Sequence, residues 1–400
     1  MSGGWFTNLL NCRLCINGEL VDDQMVVSDD TGLILKRTGF IGGDAVDLEG
    51  AIVAPGFLEL HTNGMRGFHF TRFEDEEQYA KELDRVASYL VTVGVTGFWA
   101  TIPTVTAEKF QKILPSLKPR TIPESASLLG AHCEGPYLHP TKKGAHNASL
   151  FQDPSTAPAA SVYGASNLST SVKLVTLAPE LPGAVPLTRS LTAQNITVSL
   201  GHSSASYDAG AAALAAGATC LTHTLNAMAP LHHRNPGLAG LVAAPATAPS
   251  APAPYHCIIP DGQHLHPAVA ALLFRANPSR CILVSDSVEL AGQPDGVYPG
   301  HAQIPHPQRK AGARATIDDG TDTLVGGCAS LAECVQNLMR WTGCGVAQAV
   351  KCVTENVADL MGLQDRGRLE EGRRADFVVL SDEGEVLQTW VAGVKVWEKR

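Results

Sequence analysis

Residues 127–134 read "SLLGAHCE": a short apolar run that closes on a carboxylate, Glu134, immediately before Gly135 and Pro136. The same form recurs in "ITVSLGHS" (196–203), "ATCLTHTL" (218–225), "YHCIIPDG" (255–262) and "CILVSDS" (281–287). Each is a buried-strand pattern ending in polar or ionisable residues. Between and around them lie helix-like stretches, "DEEQYAKELDRVASYLVTVG" (75–94), "SYDAGAAALAAG" (206–217) and "HPAVAALLFRAN" (266–277). Strands alternating with helices imply βα units and a parallel sheet. With an ionisable group closing so many of the strands, the pattern predicts an α/β fold, a (β/α)8 TIM-like barrel with its active site at the strand C-termini. An open doubly wound sheet is the alternative, but no GxGxxG opens a helix after the first strand.

Outside this alternation the pattern changes. "CRLCINGELV" (12–21) holds two apolar runs joined by Asn17-Gly18, a dipeptide that tolerates the positive φ of a tight hairpin. "VDLEGAIVAPGF" continues extended until Pro55-Gly56, and the last segment, "ADFVVLSDEGEVLQTWVAGVKVWEK", reads as strands with turns at Glu383-Gly384 and Ala392-Gly393. Two β-rich ends around an α/β middle predict that both ends meet in one small sheet domain, with the larger middle segment inserted between them. The expected division is 1–54 plus 365–400 for the small domain and 55–364 for the barrel. "DPSTAPAASVYGASN", "AAPATAPSAPAPY" and "LAGQPDGVYPGHAQIPHPQRKAG" carry no periodicity and read as loops.

Composition narrows the function. The chain has 400 residues, 44% hydrophobic and 17% charged, enough to bury a large core. Thirty Lys and Arg against 39 Asp and Glu give a net charge of -9, with no basic stretch interleaved with aromatics, so nucleic acid is not the expected partner. "MSGGWFTNLLNC" lacks the basic and apolar regions of a signal peptide, and no apolar run reaches the length of a membrane span, so the expected location is the cytoplasm. Ten cysteines lie scattered apart from Cys12 and Cys15, with no second CxxC, and read as reduced packing residues.

The candidate chemistry lies at the strand ends. Glu134, His202, His223 and Asp286 would converge on one barrel rim. A Glu and two His form a common catalytic zinc set that leaves a position for water. Read singly, each has an inert alternative: a solvated loop carboxylate, a rim imidazole, a helix cap. "TKKGAH", "LHHRNPG" and "DGQHLHP" add Lys142, Lys143, His146, Arg234 and His264 on loops that would also serve simply as solvated turns.

The segments "APGFLELHTNG", "GAHCEGPYLHPTKKGAHN", "VTLAPE", "GHSSASYDAGAAALAAGATCLTHTLNAM", "RNPGLAG", "PDGQHLHP", "LVSDS" and "GRLEEGRRADFVVL" follow one another in an informative order. From about residue 53 to 380 the chain resembles the N-acetylglucosamine-6-phosphate deacetylases of the amidohydrolase superfamily. The resemblance implies that Glu134, His202 and His223 hold one divalent metal ion per subunit, zinc first, with Fe2+, Co2+ or Mn2+ also suiting such donors. It implies Asp286 as catalytic acid and base, with His146 beside it. His146, Ala145, Asn226, Ala227 and His264 would contact the sugar, and Arg234 its phosphate. It further implies a homodimer in which that arginine can come from the neighbouring subunit, a barrel with a small β-sandwich, and a phosphorylated amino sugar as substrate. Departures from the pattern are His61-Thr62-Asn63, where the superfamily has His-x-His, Gly327 in "VGGCAS", where serine is usual, and Thr224-Leu225 for Leu-Phe. With one histidine of that pair missing, a single metal is expected, and His61 becomes a substrate or weak metal contact. Rival readings are another amidohydrolase, a cyclic amide hydrolase or a deaminase, and a non-catalytic barrel scaffold.

Overall fold

The computed structural model describes residues 5–36, 43–243, 252–300, 304–321 and 323–400. Eight parallel strands follow one another in chain order around a barrel: Phe57–Thr62, Val95–Pro103, Ser127–Glu134, Val172–Leu177, Thr197–Leu200, Cys220–Leu221, Tyr255–Ile258 and Cys281–Leu283. The seam between last and first is closed beyond Leu283. There Ser287 bridges Thr62, and the Asp286 N–H donates to the His61 carbonyl at 2.9 Å. All five strands expected from the sequence are present, and the helices Glu76–Leu90, Tyr207–Ala215 and Pro267–Ala276 fall where periodicity placed them.

Side-chain alternation sorts the barrel wall. Phe98, Ala100 and Ile102 face the helices and join the main apolar core, while Trp99 joins the inner cluster with Leu58, Leu60, Leu174, Ile282 and Val284. Above that apolar floor the interior turns polar. His132 lies 3.2 Å from Thr101 Oγ1 and 2.8 Å from Thr176 Oγ1, and Thr176, Thr222 and Ser199 continue the chain of hydroxyls. Every member has a partner, as burial requires.

Both chain ends share one sheet. Val394–Glu398, Val386–Val391, Phe377–Leu380, Ile52–Pro55, Phe6–Ile16, Glu19–Ser28 and Ile34–Leu35 pair in that order, and Asp44–Asp47 also pairs with Phe6–Ile16. One apolar cluster draws on both ends, with Leu9, Leu14, Met25 and Val27 meeting Phe377, Val379 and Trp390. Asn17 and Gly18, at φ +52° and +81°, form the hairpin turn, with Ile16 paired to Glu19. Cys12 and Cys15 are buried free thiols in this sheet.

Three stretches were expected as loops. Within 153–167 the chain instead forms the short helices Ala159–Tyr163 and Ala165–Thr170. Within 290–312 it forms Gly296–Tyr298 and Gln308–Ala311, half of a four-stranded antiparallel sheet completed by Arg314–Ile317 and Leu324–Gly327. Most of "AAPATAPSAPAPY" lies outside the described residues.

Candidate active site

The rim residues do meet. Glu134 closes its strand, and its Oε1 lies 3.0 Å from His202 Nε2 and 3.0 Å from His223 Nε2, which are themselves 3.1 Å apart. Oε2 lies 3.3 Å from His146 Nε2 and 3.5 Å from His61 Nε2. Asp286 Oδ1 is 3.2 Å from His61 Nε2 and accepts a hydrogen bond from Asn63 Nδ2 at 2.9 Å. Burial opposes charge on Glu134, but His61, His146 and His202 outweigh it and hold the carboxyl well below its usual range. Burial likewise opposes charge on His61, but Asp286 and Glu134 raise that ring to about 9.

Ring tautomers separate the imidazoles into two kinds. His202 Nδ1 lies 2.8 Å from the Lys142 carbonyl, which only accepts, so the proton is on Nδ1 and Nε2 presents a lone pair. Burial pushes His202 down to about 4, so the ring is neutral at neutral pH. Its lone pair therefore faces a carboxylate oxygen in a dry site, an arrangement that a bound cation resolves. His146 is the opposite case. Its Nδ1 accepts from the Thr104 N–H at 3.2 Å, so Nε2 carries the proton and donates towards Glu134. The ligand atoms of Glu134, His146 and His202 lie within 4.8 Å of one another, but the proton on His146 Nε2 leaves that nitrogen no lone pair, whereas His223 Nε2 lies 3.0 Å from Glu134 Oε1 and 3.1 Å from His202 Nε2. A carboxylate and two imidazoles fit a divalent ion such as zinc.

These groups open onto a cavity lined by Ala145, His146, Asn226, Ala227, His264 and Asp286, among others. Asn226 Nδ2 is a buried donor without a partner among the described residues. His264 is held by Asp261, 2.7 Å from its Nδ1. Ile304, Leu324 and Val325, from the antiparallel insertion, form an apolar wall. That insertion, together with Thr104 and the Lys142 carbonyl, had no signal in the sequence, because each acts through long-range backbone geometry. His61 is 2% exposed and lies behind the cavity wall, against the two carboxylates, not along it. Arg234 is exposed and does not line the cavity of its own chain. At Gly327 a Cβ would meet the Ser285 carbonyl at 2.1 Å, so this backbone excludes the usual serine.

A barrel with a buried Glu/His/His cluster at its rim and an aspartate beside it defines a class of metal-dependent hydrolase. The chain belongs to the amidohydrolase family, whose model matches residues 52–396. It is 36% identical to the N-acetylglucosamine-6-phosphate deacetylase of Caenorhabditis elegans, over 97% of this chain and 94% of that protein. It is 31% identical to the N-acetylgalactosamine-6-phosphate deacetylase of Escherichia coli O157:H7, over 97% and 98%. Among solved structures it superposes with a TM-score of 0.83, at 26% identity and over 98% and 99% of the two chains, on an aspartate-to-alanine variant of the Mycobacterium smegmatis N-acetyl-D-glucosamine-6-phosphate deacetylase in complex with N-acetyl-D-glucosamine-6-phosphate. No helix among the described residues is long and apolar enough to cross a membrane.

Proposed function

We propose that the protein hydrolyses the acetamide of N-acetylglucosamine 6-phosphate to glucosamine 6-phosphate and acetate. The observation that carries this reading is the meeting of Glu134, His202 and His223 about one point, with Asp286 beside them on the same cavity, in a chain of this family.

Glu134, His202 and His223 would hold one divalent ion, zinc being the first choice for such donors and Fe2+, Co2+ or Mn2+ the alternatives. When bound, that ion polarises the amide carbonyl and makes water acidic enough to attack near neutral pH. Asp286 takes the proton from the attacking water and returns it to the amine, which cannot leave as an anion. Asn63 holds the Asp286 carboxylate in place. His146, its proton fixed on Nε2 by Thr104, donates to the oxygen that gains negative charge. Ala145, Asn226, Ala227 and His264 contact the sugar, and His61 supports Asp286 from behind. Arg234 reaches the phosphate from a second copy in a homodimer, which accounts for its distance from the cavity of its own chain. The ten unpaired cysteines suit a reducing compartment, and we place the enzyme in the cytoplasm. The division into 1–54 plus 365–400 and 55–364 belongs to the same proposal, supported by the pairing of Ile52–Pro55 with Phe377–Leu380.

The test is a metal-depleted preparation assayed as single metals are returned. Acetate should appear from N-acetylglucosamine 6-phosphate faster than from its galactosamine epimer or the unphosphorylated sugar, with no ammonia. Ammonia in place of acetate, or turnover indifferent to metal, refutes the reading.

A further inference from the structure

The strand Phe57–Thr62 is irregular where it matters. Its register against Val95–Pro103 shifts between Glu59 and Thr62, a bulge that turns His61 towards Glu134 and Asp286. A bulge leaves backbone N–H groups without a ladder partner. Here a side chain accepts them: Glu59 Oε1 takes the His61 N–H at 3.1 Å and the Ser285 N–H at 3.3 Å. The Ser285 side chain hydrogen-bonds the same carboxylate. Glu59 is 1% exposed and does not line the substrate cavity. It spans the barrel seam just beneath the residues that close it, where Asp286 N–H bonds the His61 carbonyl and Asn63 N–H bonds the Ser287 carbonyl at 2.7 Å.

We propose that Glu59 is a positioning residue for the reaction, its carboxylate clamping the bulged strand that carries His61 and Asn63 to the strand end that carries Asp286. Without the clamp two buried N–H groups lose their acceptor, a penalty that the seam relieves by opening. Opening shifts Asp286 against the cluster of Glu134, His202 and His223, and a displacement of about 1 Å costs roughly a hundredfold in rate. The substrate contacts lie on other loops and stay in place.

The inference rests on the deacetylase reading, and its test compares three variants with wild type. Glu59→Ala and Glu59→Asp, the latter keeping the carboxyl group but withdrawing its oxygens, should lower kcat about ten- to hundredfold, with KM within about twofold and bound metal at wild-type stoichiometry. Glu59→Gln, which keeps the reach and an accepting oxygen, should stay within a few-fold of wild-type kcat, with a superimposable pH profile. If Glu59→Ala does not fold, the Asp and Gln pair decides. Wild-type kcat in Glu59→Asp, loss confined to KM or metal content, or an active Asp variant beside an inactive Gln variant overturns the clamp. A wild-type protein without deacetylase activity strikes the functional reading instead. In that case the crystallographic position of Asp286 in Glu59→Asp still decides the inference, which requires a displacement from wild type.

Discussion

His202, His223 and Asp286 are non-glycine residues at φ +48°, +25° and +45°. Such backbone is held only where the surroundings dictate it, at about 1–3 kcal/mol each, and here it aims three strand-end side chains at one point. Asp286 has the clearest single role, since it touches both Asn63 and His61 while facing the cavity. Asp286→Asn should leave fold and metal content intact and cut kcat by about a hundredfold or more. Steady-state kinetics beside metal analysis checks this, and near-normal turnover would remove Asp286 from the mechanism. At this scale the sequence was informative about side-chain identity and silent about tautomers. That His146 donates while His202 presents a lone pair depends on Thr104 N–H and the Lys142 carbonyl, which no motif announces.

Elements carry the site through their ends. The helix Leu331–Thr342 begins with a capping box: Ser330 accepts from the Glu333 N–H, and the Glu333 carboxylate accepts from the Ser330 N–H. It packs against the strand Cys281–Leu283 that leads to Asp286. Ser330→Ala should lower unfolding free energy by about 1 kcal/mol, read as a lower urea midpoint at unchanged slope. An unaltered midpoint would show that water satisfies this helix start equally well. Five of the eight barrel strands and the helices Glu76–Leu90, Tyr207–Ala215 and Pro267–Ala276 were legible because apolar runs and period 3.6 are local properties of the chain. The sheet from Gly296 to Gly327 was not, because its pairing, such as Gln308 with Ile317, forms across segments rich in Pro, Gly and His. Strand propensity depends on such partners more than on the segment itself.

For the whole molecule, a net charge of -9 and an anionic substrate are reconciled locally, because charges beyond about 8 Å are largely screened. If Arg234 serves the neighbouring copy, co-expressed Arg234→Ala and Asp286→Asn chains should regain activity in mixed dimers, since one site then holds both groups. Each variant alone should be impaired, and no recovery on mixing would place Arg234 elsewhere. Stability should also respond to acid through buried histidines. Burial pushes His256 down to about 4, below the ordinary value near 6.5, so its neutral form stabilises the fold above that value. As pH falls from 6.5 towards 4 the unfolded chain takes up a proton that the native chain refuses, and stability drops by about 1.4 kcal/mol per pH unit for that proton. His256→Leu should make this limb of the stability curve shallower, as measured by urea unfolding across pH. An identical slope would mean that His256 does not titrate in unfolding.

The sequence by itself determined the alternation of strands and helices, the two β-rich ends, and the ionisable residues that close several of the strands, because these depend on neighbours within a few positions. Tertiary structure decided which nitrogens carry protons, that Gly327 admits no side chain, that a bulge turns His61 inward, and that a proline- and histidine-rich segment walls the cavity. Those properties arise from contacts between residues tens to hundreds of positions apart, whose geometry exists only once the barrel has closed.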